Sequence, residues 1–105
     1  MMLKLGVRLI GVRPEVVLAL AIAETVWARH GADLVVTAVI DGQHKRSSAH
    51  YTGCAADLRV HGLADPSAAA SDLRVALGED FDVILEAQGA PNVHIHLEYD
   101  PKLSY

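Results

Sequence analysis

The stretch Phe81-Asp82-Val83-Ile84-Leu85-Glu86-Ala87-Gln88-Gly89-Ala90-Pro91-Asn92-Val93-His94-Ile95-His96-Leu97-Glu98-Tyr99 holds two strand-like runs, Phe81 to Ala87 and Asn92 to Tyr99, either side of Gln88-Gly89-Ala90-Pro91. Glycine and proline interrupt the apolar pattern there, which predicts a hairpin. An antiparallel pair near the end of the chain needs a sheet to join and a layer to cover one face.

Working back from the hairpin, Asp65-Pro66 reads as an N-cap followed by a first-turn proline. Leu73, Ala76 and Leu77 then lead to Gly78, so a helix is expected from Pro66 to Leu77. Ala55 to Val60 has a period of two, with Ala56, Leu58 and Val60 on one face and Ala55, Asp57 and Arg59 on the other. On that reading Asp57 projects from a strand edge. Gln43 to Gly53 is polar and reads as a loop that presents side chains. Leu34 to Ile40 is β-branched and ends in Asp41-Gly42, a strand and turn. Val16, Val17, Leu20, Ala23 and Trp27 recur at helical spacing between Pro14 and Gly31, a helix from Pro14 to His30. The expected fold is α+β, with two helices packed on a mostly antiparallel sheet of about four strands.

A chain of 105 residues with 51% hydrophobic and 21% charged residues supports one domain, residues 1–105, with a core of its own. The formal charge of −4 argues against nucleic acid or an anionic membrane as partner through bulk electrostatics. Val16 to Ala23 is too short to span a bilayer, and Arg8 interrupts any signal-peptide core. The expectation is therefore a protein with no membrane span and no signal peptide. Cys54 is the single cysteine, which excludes an internal disulfide and leaves it a small structural role.

The six histidines differ in what their positions imply. His30 ends the first helix, where a partly positive ring offsets the helix terminus. His61 lies in a turn beside Gly62, and His44 in the presenting loop. His50 precedes Asp57 by seven positions with Gly53 between them, and a glycine permits the turn that would bring the two side chains together. His94 and His96 share a strand face about 6.6 Å apart. Imidazole nitrogen and carboxylate oxygen are both zinc donors at about 2.0–2.2 Å, and three protein ligands with one water make a catalytic site. The same spacings also fit a His50–Asp57 hydrogen bond with the hairpin histidines facing water.

The run Ser48-Ala49-His50-Tyr51-Thr52-Gly53-Cys54-Ala55-Ala56-Asp57 resembles the Ser-x-His-x-x-Gly-x-Ala-x-Asp signature of LAS-type zinc peptidases. That group includes D-alanyl-D-alanine carboxypeptidases, lysostaphin and the hedgehog fold. His94-Ile95-His96-Leu97-Glu98 is similar to its closing His-x-His motif, and the compact layout resembles small peptidase-like proteins of phages and bacteria. The resemblance covers about half the chain and implies that His50, Asp57 and His96 bind Zn2+, with His94 beside the metal. Arg46 and Ser48 would line the cleft, where a guanidinium can meet a peptide carboxylate.

The acidic residue that many relatives of the carboxypeptidase type carry as base three residues before the last ligand is replaced here by Val93. Glu86 and His94 are the candidate catalytic groups in its place, with Glu98 third. The implied activity is hydrolysis of peptide bonds in bacterial cell-wall peptidoglycan. The alternatives are a zinc-bound binding or structural module without turnover, for example a virion-associated component, and a small α+β domain without metal. The implied partner is a peptidoglycan peptide, with association to a phage particle or to a second copy left open. The implied location is the cytoplasm until lysis, or the virion.

Overall fold

The computed structural model describes residues 1–39 and 53–102. The elements run β1 (Met2–Leu3), α1 (Pro14–Arg29), β2 (Val35–Ala38), β3 (Ala55–Arg59), α2 (Pro66–Leu77), β4 (Phe81–Glu86) and β5 (His94–Tyr99). They form an α+β domain whose single sheet has the order β1-β2-β3-β5-β4.

Pro14 opens α1 without costing a hydrogen bond, Glu15 meets the positive helix end, and Val16, Ala19, Leu20, Ala23, Val26 and Trp27 are its buried stripe. Trp27 is fully buried, and its indole Nε1 donates to the Arg59 carbonyl at 3.3 Å, fixing the helix against the end of β3. Asp65 caps α2 by accepting from the Ala68 amide at 3.1 Å. The helix buries Ala69, Ala70 and Leu73, and the two alanines keep its packing face small. At the far end of α1, His30 Nε2 lies 2.7 Å from Asp72 Oδ2 of α2.

Ala56 and Leu58 of β3, Ile95 and Leu97 of β5 and Val83 of β4 join this helical layer in one core. Each large apolar side chain fully buried there contributes roughly 1.5–3 kcal/mol. The alternation that faces these residues inward turns Asp57, Arg59, His94, His96 and Glu98 to the opposite face.

The sheet has five strands, one more than the sequence pattern predicts. The additional strand, β1, pairs parallel to β2 through Met2 N to Leu34 O and Lys4 N to Val36 O, both 2.9 Å. Two residues cannot display a period, and this strand exists because β2 offers it an edge. The parallel pair makes the sheet mixed, although β2–β3, β3–β5 and β5–β4 are antiparallel as expected. Asp57 is likewise on the central strand of the sheet rather than at an edge, because β5 inserts between β3 and β4. The hairpin is present with slightly shorter strands, and Ala87 takes a positive φ of 57° as the chain leaves β4.

Candidate metal centre

Strand register decides which polar side chains meet. Across β3 and β5, Asp57 is opposite His96 and Arg59 is opposite His94; across β4 and β5, Glu86 is opposite His94. Opposed residues on one face stand about 5 Å apart at Cβ, within reach of short polar side chains. The period of two and the hairpin thus assemble five chemistry-bearing groups, Asp57, Arg59, Glu86, His94 and His96, on the sheet face away from the helices.

His96 Nδ1 is 3.0 Å from Asp57 Oδ1, and its Nε2 is 3.1 Å from Glu98 Oε1. Carboxylates only accept, so both ring nitrogens donate and the ring is an imidazolium when no metal is present. The hydrogen bond to Asp57 is the main cause that raises the His96 pKa to about 9; burial opposes it, and Glu98 adds to the rise. The side chains keep only 13% (His96) and 16% (Asp57) of their exposure, so water screens the pair weakly.

Of the three ligands the resemblance implies, Asp57 and His96 are among the described residues. In a tetrahedral site with bonds near 2.0–2.1 Å, neighbouring donor atoms lie ~3.3 Å apart. The Asp57 oxygen and the His96 nitrogen are already close to that separation. Glu98 on the other nitrogen is the carboxylate that commonly orients a ligating imidazole and raises its basicity. Glu98, third among the candidate bases by sequence, is thus engaged with His96, and the spacing of two on one strand was the signal for this contact.

His94 Nδ1 donates to the Asn92 carbonyl at 2.8 Å, which turns Nε2 toward 3.7 Å from Asp57 Oδ1 and 3.6 Å from Glu86 Oε2. Glu86 therefore faces the same site across the hairpin, the register on which its proposed role depends. Val93, at the position of the relatives' acid, is a half-buried residue packed against the core. His50, Arg46 and Ser48, together with His44, lie outside the described residues. Gly53, at the end of that segment, has φ 74°, and a Cβ there would press on the Gly11 carbonyl oxygen, so glycine is required.

Among the described residues, the His, Cys, Asp and Glu side chains of which three bring ligand atoms within 4.8 Å of one another are Asp82, Glu98 and Asp100, a set that includes neither Asp57 nor His96. Lys102 Nζ sits 3.3 Å from Asp82 and 3.1 Å from Asp100, which neutralises much of that group. Asp57, His94 and His96 share one face of the sheet through the β3–β5 register. The sequence pattern missed a cleft of about 400 Å³ beside them, whose wall includes Lys4, Thr37, Arg59 and His61. Arg59, two residues beyond Asp57 on the same strand face, was the legible signal; Lys4 directly follows β1, a strand the sequence pattern did not contain. No helix among the described residues is long and apolar enough to cross a membrane. No family model, curated protein or solved structure matches the chain.

Proposed function

We propose that this protein is a zinc-dependent peptidase or amidase that hydrolyses peptide bonds of bacterial cell-wall peptidoglycan, with a hedgehog- or D-alanyl-D-alanine-carboxypeptidase-like arrangement. The observation that carries the reading is the Asp57–His96 pair, 3.0 Å apart, braced by Glu98 and bordered by Glu86 and His94. His50, Asp57 and His96 hold the ion. Zinc, when bound, supplies a Lewis acid for an amide carbonyl and lowers the pKa of water.

The chain's own residues supply the remainder. Glu86 Oε2 accepts a proton from the attacking water and returns it to the leaving amine, the work of a general base and acid. His94 Nε2 lies 3.6 Å from that oxygen and orients it, while the Asn92 carbonyl fixes the ring. Glu98 holds His96 in place through Nε2. Arg46 and Ser48 are assigned to substrate by the motif resemblance. Release on lysis or carriage by a phage particle gives access to the wall.

One observation favours a second reading, a zinc-bound module without turnover: Val93 packs where the relatives' acid would stand. Metal analysis and wall-peptide cleavage by the purified full chain separate the two. We expect near-stoichiometric zinc that is lost in His96→Ala and in His50→Ala, with cleavage abolished by chelator and restored by zinc. Glu86→Gln should keep zinc and lose about 10²–10⁴-fold in rate. Zinc retention with no cleavage selects the module; absence of zinc, or cleavage indifferent to chelator, refutes the peptidase.

A further inference from the structure

The inner side of α1 is packed on the core, yet its outer side is apolar as well. Val16 to Ala23 contains no polar residue, so every face of the helix is hydrophobic over two turns, a pattern that belongs to helices covered all round. Outside the buried stripe, Leu18 keeps 66% of its exposure and Ile22 38%. These two fall on one line with Glu15, Thr25 and Arg29, at the alternating three- and four-residue spacing of a helix seam. Leu18, Ile22, Thr25 and Arg29 are all exposed, and the seam is about 21 Å long. Beside it runs a groove of about 580 Å³, whose apolar wall Leu18 and Ile22 share with Phe81 and Tyr99.

We infer that this seam is the interface of a homodimer, in which α1 of a second copy packs antiparallel on α1 about a two-fold axis at Ile22. Glu15 and Arg29 stand at equal distance from Ile22 along the helix, one on each side. Rotation about that point sets Glu15 against Arg29 of the second copy, Leu18 against its Thr25 and Ile22 against its Ile22, and every contact is made twice. A parallel pair would set Glu15 on Glu15 and Arg29 on Arg29, so charge selects the antiparallel one. Glu79 and Asp80 line the groove together with Glu15, and the end that receives Arg29 of the second copy therefore carries three carboxylates. Arg13 Nε lies 3.8 Å from Glu15 Oε1, a long contact between exposed groups that contributes little and leaves the carboxylate available. One seam and one groove wall make a small interface, which sets the dissociation constant at about 10–100 µM. The seam lies on the helical layer, away from the face that carries Asp57 and His96, and the pairing is independent of the metal reading.

The test is sedimentation equilibrium of the full chain from about 5 µM to about 1 mM, a range that brackets the expected constant. A thiol reductant is present so that Cys54 cannot cross-link two copies. The parent should pass from monomer to dimer across this range. Ile22→Lys puts two like charges together on the axis and should weaken the dimer at least about tenfold, and Leu18→Ser should weaken it in the same direction. Arg29→Glu should also cost at least about tenfold, and adding Glu15→Arg to it should recover at least about threefold, because the swap restores opposite charges across the seam. Val75→Lys, on α2 with 85% of its exposure kept, should leave the dimer unchanged. Thermal melts check that each variant folds, and Leu18→Ser carries the test if Ile22→Lys does not. A monomer at every concentration, assembly beyond a dimer, or a folded Ile22→Lys or Leu18→Ser that dimerises like the parent overturns the interface. Indifference to Arg29→Glu, or no recovery from the added Glu15→Arg, overturns the antiparallel register.

Discussion

Asp57→Asn in metal-free protein should flatten the pH dependence of stability between about pH 6 and pH 9.5. The fold raises the His96 pKa from 6.5 to about 9, first through the bond to Asp57. A raised pKa means that folding favours the imidazolium. The stabilisation is therefore complete below about pH 6.5 and is lost as the pH climbs through about 9. Each tenfold change in proton affinity is worth ~1.4 kcal/mol, so the full rise amounts to ~3 kcal/mol; residual solvent contact trims the measurable part to about 1–3 kcal/mol.

Urea unfolding with chelator present, near pH 6 and near pH 9.5, measures the effect. The parent should lose that amount on going to the higher pH, and the variant should lose at least about 1 kcal/mol less. Taking the difference between the two proteins cancels the other histidines and Cys54. Equal losses in parent and variant, or a His96 ring titrating below about pH 7 in the parent, would refute the reasoning.

Two further outcomes concern the frame around the site. Gly53→Ala forces a side chain into a left-handed backbone and against the Gly11 carbonyl. It should cost about 2–5 kcal/mol and lower the melting temperature by about 10 °C or more, and a melt within about 2 °C of the parent would contradict the geometry. Asp72→Ala breaks the contact to His30, but the Asp72 side chain keeps 53% of its exposure. Its cost should stay below about 1 kcal/mol by urea unfolding, and a loss above about 2 kcal/mol would show that the contact does more than join two exposed groups.

The helices were legible because Pro14 and the Asp65-Pro66 pair mark their starts physically, by a missing donor and by a side-chain acceptor. The inward and outward faces of β3 and β5 were legible because strand side chains alternate, which puts Asp57 on the outward face of one strand and His94 and His96 on the outward face of the other. Strand order was not legible. Nothing local in Met2–Leu3 distinguishes an edge strand from a loop, and nothing local in Ala55–Arg59 tells that its partner is the last strand rather than the next one. Those are non-local choices, made by which edges the core leaves open. For the same reason Glu86 could be proposed but not positioned, since its place opposite His94 depends on the register of the whole hairpin. Lys4 could not be associated with Arg59 at all.

The insertion of β5 between β3 and β4 also fixes when the site can exist. A nascent chain on the ribosome that has not yet released residues 94–99 holds β3 and β4 with no strand to join them, and Asp57 has no imidazole opposite it. Assembly of the centre thus requires β5 to be in the sheet. A molecule without β5 in place cannot bring Asp57 and His96 together.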